Sequence, residues 1–580
     1  MKSVLKYLSP YKKELIVAPT FKLIEAILEL ILPMIMAGLL DLADAGRATT
    51  GVILKRSLLM AIVALVGLGS ALVCQYLASK SSQSYGTDLR NAIMKKALSL
   101  DASAYDKFGA AQIVNRLTSD TQKLQHAVAM FMRLVVRAPF LCIGASVMAA
   151  IVSPKTAIII IVLIPIYILL LWLVLFKSVP VQLKVQEKLD RVARLLRENL
   201  SGVRVIRAFG RQKSRDDQFC QSCDEHREQM ERVSFITASL NPATSLLMNA
   251  AIALIVWYGA SQVSIGGMTK GDIVAFVSYV TQMMLQMVIV ARLVIIYTGA
   301  YASAKRVSAV LETEPAIKDR DDAAALDVSG GDTAVEFDNV AFAYPGSPEP
   351  TVKNITFTLG RGETIGIIGA TGSGKSTLAK LLSREYDVDS GRVKMFGCDV
   401  REIKLESLRE HLAVVPQKAF LFSGTVASNM KKGAPDADND EIIKALKAAQ
   451  AYSFVEEAGG IEAPVARSGA NFSGGQRQRL TVARGLIKKA PVLILDDSSS
   501  ALDAATEAEL RKSIKEYCAD TAVMLISQRI SAVRQADKII VLRDGEMAGI
   551  GTHSRLAAEC DEYRELCISQ GEEVPEKEAV

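Results

Sequence analysis

The sequence lacks a cysteine framework. Its eight cysteines, Cys74, Cys142, Cys220, Cys223, Cys398, Cys518, Cys560 and Cys567, follow no scaffold spacing. That pattern excludes a disulfide-stapled fold and reads as reduced thiols. Cys220, Cys223 and His226 come close to a metal spacing on a helical stretch, but a fourth ligand is missing. Net charge is also scant, +6 over 580 residues, and Lys and Arg cluster between apolar segments. Composition therefore gives no argument for nucleic acid. A cleavable leader is not apparent either. Met1 to Glu14 is short, basic and amphipathic, with Tyr7 and Tyr11, and reads as an interfacial helix over 1–14. No peptidase-like segment precedes the first apolar run, which argues against leader-cleaving peptide export.

Long apolar runs, in contrast, are abundant. Half the residues are hydrophobic, the mean hydropathy is +0.24, and six segments are long enough for roughly 20 residues to cross a ~30 Å hydrocarbon core. They fall at about 15–40, 57–79, 138–154, 156–176, 240–263 and 273–301, within a membrane domain of 15–311. The second carries no charge. Intramembrane charges are confined to Lys22, Glu25, Glu29 and Arg292, so rings of charge that would line an ion channel are missing. Glu25 and Glu29 lie four apart, on one helix face, where they either pair internally or meet a cationic cargo. Met283, Met284 and Met287 near Gln282 and Gln286 read as packing first and as a compliant surface second.

Basic residues set the orientation. Lys80, Arg90, Lys95, Lys96, Lys107, Arg116, Lys123, Arg133 and Arg137 lie between the second and third segments, and 177–232 is similarly basic. The opposite connections are short and poor in Lys and Arg, which places both long loops and both termini in the cytosol. Val192, Leu195, Leu196 and Leu200 recur at helical spacing, so these loops read as helical extensions.

Residues 312–332 read as a linker, with Pro315, a run of charges, Ala323–Ala325 and Gly330-Gly331. From 333 to 570 the composition is that of an α/β domain, and 571–580 is acidic and expected to be disordered. The expected fold class is thus a multidomain membrane protein. It joins an all-α transmembrane domain of six helices with cytosolic extensions to an α/β P-loop NTPase domain.

The soluble half is organised around Gly369, Ala370, Thr371, Gly372, Ser373, Gly374, Lys375, Ser376 and Thr377. An apolar strand precedes this stretch and a helix follows it, the context of a P-loop. The glycines let consecutive N–H groups converge on phosphate oxygens. Lys375 then reaches the outer phosphates and Ser376 can ligate Mg²⁺. Asp496, ending the apolar run Val492–Leu495, supplies a carboxylate for the same ion. ATP and Mg are the cofactors implied.

Further motifs bring a family resemblance. Phe472, Ser473, Gly474, Gly475 and Gln476, followed by Arg477, Gln478 and Arg479, are similar to the signature of ABC transporters, with Phe where Leu is usual. Gln417 after Val414-Val415-Pro416 resembles the Q-loop, and Tyr344 before Pro345 the adenine-stacking aromatic. Asp496 resembles the Walker B aspartate and Asp503 the D-loop. Order and spacing agree over the whole chain, which resembles an exporter-type half-transporter. The resemblance implies several roles. Gln417 touches the metal and the attacking water. Ser473, Gly474, Gly475 and Gln476 close over ATP held by a second chain. The regions around Tyr105 and Phe209 act as coupling segments.

Two positions depart from the family pattern. Asp497 stands where the general base is usually Glu, and Gln528 where the switch residue is usually His. One methylene withdraws the carboxylate by roughly 1.5 Å, and misplacement on the order of 1 Å can cost about 10²-fold in rate. Gln528 can hydrogen-bond but cannot titrate. The chain therefore resembles the degenerate-site subunit of a heterodimeric bacterial multidrug exporter in the cell membrane. Its implied cargo is a small amphipathic, lipid or peptide molecule. Import through the same fold (as in siderophore systems), an ATP-gated regulator and a functional homodimer are the alternatives.

Overall fold

The computed structural model describes residues 2–572, which form two compact units. One comprises residues up to 98 together with 110–313, the other residues 99–109 together with those from 314 on.

The first unit is helical. Among the described residues six helical spans are long and apolar enough to cross a membrane: Ser9–Asp44, Thr50–Ser99, Ala110–Val152, Pro154–Ser201, Gln212–Ser264 and Lys270–Glu312. Each runs well beyond its apolar stretch. The second continues through Lys80, Arg90 and Lys96 to Ser99, because that polar sequence holds no proline and is rich in good helix formers. Breaks come where the chain enforces them. Ser153 is extended and Pro154 takes the first position of the fourth span, where its missing N–H costs no helical bond. Thr269 and Asp272 form a capping box that starts the sixth.

Small residues let these helices approach. Ala26, Ala145, Ala149, Ala157, Ala251 and Ala275 are buried in one core with Phe276, Tyr279 and Val280. Gly271 is the closest approach: a Cβ there would lie 2.3 Å from the Ala37 carbonyl oxygen, and its N–H donates to Asp41 Oδ1 at 2.9 Å. Met283, Met284 and Met287 are buried in the same core. Leu58, Leu65, Leu72, Ile158, Ile161 and Trp172 face outward, as a lipid-facing wall requires.

The intramembrane acids are paired. Glu25 meets Lys22 at 2.6 Å and Arg137 at 3.7 Å, and Glu29 meets Arg137 at 2.6 Å. Of the two roles open to them in the sequence, the geometry gives internal pairing, and recognition of a cationic cargo loses its two free carboxylates. Arg292 is exposed.

The second unit is α/β. Its strands are β1 (Thr333–Phe342), β2 (Val352–Gly360), β3 (Thr364–Gly369), β4 (Ser390–Met395), β5 (Cys398–Asp399) and β6 (Leu412–Val415). They continue with β7 (Gly424–Thr425), β8 (Pro464–Val465), β9 (Val492–Asp496), β10 (Ala522–Ile526), β11 (Lys538–Arg543) and β12 (Glu546–Gly551). The main sheet runs β12-β11-β3-β10-β9-β6, parallel except at the β12 edge. β3, β9 and β10 are apolar along their length, as strands covered on both faces must be. An antiparallel sheet, β2-β1-β4-β5, packs beside it, and the pair β7-β8 stands apart. The P-loop follows β3 and Asp496 ends β9, two parallel strands on either side of β10, so both emerge at the carboxyl edge of the sheet.

Three boundaries differ from expectation. The stretch read as a linker is docked on the second unit: Ala324 bridges Ile403, and Ala323 and Leu326 are buried. Residues 99–109 also belong to this unit. Asp101 caps the helix Ala102–Phe108 and accepts from Ala316 N at 3.1 Å, and Ala102 packs on the core of the antiparallel sheet. At the other end, Gly571 and Glu572 of the expected disordered tail are placed, Glu572 meeting Arg534 at 2.8 Å. The rest of that tail lies outside the described residues.

Candidate nucleotide site

A cavity of about 280 Å³ opens at the end of β3, lined by Tyr344, Lys375, Ser376, Gln417, Asp496 and Gln528 among others. The P-loop forms its floor. Gly372 and Gly374 have φ of +87° and +95°, and a Cβ at Gly374 would lie 2.5 Å from Val352 Cγ1. Only glycine meets both demands. Gly374 leads into the helix Lys375–Leu382, whose N-terminus points its free N–H groups at the cavity.

Lys375 is held in place by the loop itself. Its Nζ donates to the carbonyls of Gly369 at 2.8 Å and Ala370 at 2.7 Å. Burial pushes its pKa down, an effect the carboxylates of Asp497 and Asp496 oppose. A bound anion here reverses that penalty. Ser376 Oγ donates to Asp496 Oδ1 at 2.9 Å. Burial pushes the Asp496 carboxyl above the usual carboxylate range, and Asp497 adds to the shift. A hydroxyl and a crowded carboxylate side by side are hard oxygen donors short of positive charge, the set that suits Mg²⁺. Ser376 and Asp496 would hold that ion, with Gln417 beside them, and its chemistry would be to neutralise the outer phosphates.

The two unusual residues both sit in this cavity. Asp497 has φ +45° and its Oδ2 accepts from Gln417 Nε2 at 3.3 Å. Gln528 Oε1 accepts from Thr371 Oγ1 at 3.4 Å, so the switch position touches the P-loop directly. Tyr344 is half-buried, edge-on to Phe342 and Tyr386, with its hydroxyl 3.3 Å from Thr377 Oγ1. The Lys380 ammonium lies 5.3 Å from its ring centroid. Lys380, Thr351 and Ile526 were not among the residues singled out in the sequence. Thr351, directly after Pro350, and Ile526, at the end of β10, carry no motif.

Ser473, Gly474, Gly475, Gln476 and Asp503 are not in the cavity. Ser473 caps the helix Gly474–Leu486: its Oγ accepts from Gln476 N at 3.3 Å, while Gln476 Oε1 accepts from Ser473 N at 2.8 Å. Ser473 and Gly474 are exposed. Phe472, the unusual first residue of the motif, is buried against Phe454, which an aliphatic side chain would also fill. Asp503 caps the next helix, Ala504–Tyr517. Its acceptor bond from the Thr506 N–H holds its carboxyl below the ordinary value. Phe209 is 76% exposed and Tyr105 40%.

A parallel-sheet P-loop cavity with a Walker-type aspartate, in one chain with a six-span helical unit, defines a membrane protein that binds ATP. Comparison places it further. The model of the ABC transporter transmembrane region matches residues 15–287, and the ABC transporter model matches residues 352–500. The chain is 34% identical to an ABC transporter ATP-binding protein of Bacillus subtilis, over 98% of each. It is 33% identical to one of Mycobacterium tuberculosis, over 97% of each. An ATP-dependent lipid A-core flippase of Albidiferax ferrireducens is 30% identical, over 98% of this chain and 97% of the flippase. Among solved structures, a bacterial Atm1-family ABC exporter with ATP bound has a TM-score of 0.81 at 22% identity, covering 97% of this chain and 99% of that one. The chain belongs to the ABC transporter family, and its enzymatic activity is ATP hydrolysis coupled to transport.

Proposed function

We propose that this chain is one half of a two-chain exporter, holding Mg-ATP in a slowly hydrolysing site and completing the faster site of a different partner chain. The observation that carries this reading is the separation of its own motifs. The P-loop, Asp496, Asp497, Gln417 and Gln528 share one cavity, while Ser473 and Asp503 stand exposed outside it. An exposed helix N-terminus with free amides is a cradle for phosphates that another chain brings.

The weak step follows from the same geometry. Asp497 is engaged by Gln417 and is one methylene short of the usual base, and Gln528 cannot carry a proton. Binding groups are thus complete and proton-handling groups are not. ATP at both sites favours the closed pair, and hydrolysis at the partner's site releases it. Phe209, apolar and exposed in a basic segment, suits a groove on a nucleotide domain.

Cargo enters through the membrane unit. A cavity of about 780 Å³ there is lined by Gln75, Ser82, Gln122, Lys123, His126 and Arg133 among others, with no carboxylate in its wall. With Glu25 and Glu29 neutralised, this wall favours an amphiphile with a polar or anionic head over a cation. The likeness to lipid A-core flippases supports a lipid-like cargo. Both chemically active faces are expected to lie on the cytosolic side.

The test is mass spectrometry of the chain that co-purifies, with ATPase assays of the complex. A distinct partner carrying Glu and His at the two positions is expected. Recovery of this chain alone, hydrolysing ATP at full speed in a single turnover, makes it a homodimer.

A further inference from the structure

Gln528 lines the nucleotide cavity and Ser473 lies outside it, yet inside one chain a set of hydrogen bonds and short stretches of main chain joins them. The guanidinium of Arg529, next to Gln528, donates to the main-chain carbonyls of Ser500 at 3.0 Å and Leu502 at 3.3 Å. These carbonyls belong to the turn between Asp497 and Asp503. The same turn is held from the signature helix: Gln478 Nε2 donates to Ser500 Oγ at 3.1 Å, and Gln478 Oε1 accepts from Ala501 N at 3.0 Å. Gln478 and Ser473 therefore ride on one helix, with the helix cap at Ser473 and the hold on the turn at Gln478.

Two further residues fix the ends of this linkage. Glu507 is 1% exposed. Its Oε1 accepts from Ser499 Oγ at 2.6 Å and its Oε2 from Arg529 at 3.5 Å. Gln570, beyond the last helix, brackets the switch backbone. Its Nε2 donates to Gln528 O at 2.9 Å and its Oε1 accepts from Ile530 N at 2.9 Å. A planar guanidinium with several donors in a fixed fork is suited to hold two carbonyls and a carboxylate at once, which an ammonium is not.

We propose that Arg529 is a positioning residue that ties the switch segment to the signature arm, with Glu507 orienting its guanidinium and Gln570 anchoring the backbone behind it. Movement of Gln528 with the nucleotide state of this chain's own cavity is thereby passed to Ser473 and Asp503. The inference rests on the reading that those two residues serve the partner's nucleotide.

The test uses the full chain purified with its partner in lipid nanodiscs, reading kcat, KM for ATP, affinity for a fluorescent ATP analogue, and melting temperature. Arg529→Gln is expected to lower kcat about 10-fold while KM and nucleotide affinity stay within about twofold, the split expected of misplacement rather than lost binding. Arg529→Lys should recover less than half of the loss. Gln570→Ala, which disturbs no buried charge, should lower kcat about threefold at unchanged melting temperature. Arg529→Gln combined with Gln478→Ala should cost no more than the larger single loss, because both break one linkage. The proposal is overturned by an unchanged kcat in Arg529→Gln, by losses that track melting temperature across the series, or by single losses that multiply. Ser473→Ala separates the two readings. If it leaves turnover intact, the partner-serving role itself fails; if it abolishes turnover while Arg529→Gln is silent, only the linkage fails.

Discussion

At Asp496 binding and stability pull in opposite directions. Burial raises its carboxyl pKa, so the folded state favours the protonated form. The contribution of this group to stability is then present at low pH and lost as pH rises through the raised value. Asp496→Asn keeps the oxygen that Ser376 needs and removes the charge. It is expected to raise the melting temperature of the nucleotide-free protein by about 1–3 °C at neutral pH, a gain that shrinks as pH falls and the wild-type carboxyl protonates. The same change should weaken Mg-ATP binding at least about 10-fold. Scanning fluorimetry with and without Mg-ATP reads both. Lys375→Ala removes charge-assisted bonds to phosphate worth about 1.5–3 kcal/mol, so ATP retention should fall roughly 10- to 100-fold in equilibrium binding. These residues were legible in the sequence because phosphate chemistry admits few alternatives: glycine where φ is positive, lysine at the outer phosphates, a carboxylate at a strand end. Gln570 and Glu507 were not. They meet their partners through the fold, at separations of 42 and 22 residues for the bonds to Gln528 and Arg529, and contacts of that kind leave no local pattern.

Among the elements, the helical spans show the same limit differently. Hydropathy marks only what lipid covers, so the apolar stretch of 57–79 was visible while the helix Thr50–Ser99 was visible only as a basic, periodic continuation. The docking of 99–109 with the α/β unit was hard to read from sequence, since Asp101 and the small residue Ala102 contribute to it without an apolar pattern. Phe209, by contrast, stands out in sequence and in structure for one reason: an exposed aromatic in a basic turn has no local use. Phe209→Ala should leave ATP binding within about twofold and reduce cargo moved per ATP by about 10-fold or more, a loss of the size expected for an anchor residue. Normal transport by that variant in vesicles would remove the coupling role. In the first and third spans, replacing Glu25 and Glu29 together by Gln leaves Arg137 without either partner. We expect a melting temperature lower by about 2–4 °C and equal effects on cationic and neutral cargo. A selective loss of cationic cargo would instead restore a recognition role.

For the whole molecule, the division of labour predicts unequal mutants. Asp497→Asn should change the ATPase rate of the complex less than about twofold, whereas removing the partner's base should lower it by roughly 10²- to 10⁴-fold. Ser473→Ala should also be severe if, as proposed, its exposed cap position serves the partner. The unusual backbone at Asp497 adds a consequence on a longer timescale. An L-residue at φ +45° is tolerated best as Asp or Asn, whose short side chains bond locally, and a longer side chain forgoes that relief at a cost on the order of 1 kcal/mol. Changing Asp497 to Glu therefore runs uphill in stability, while a change from Glu to Asp at such a backbone runs downhill. Descent through such a step is a ratchet. On the proposed reading, a slowed site leaves selection for turnover to the partner chain, and the two genes then depend on one another.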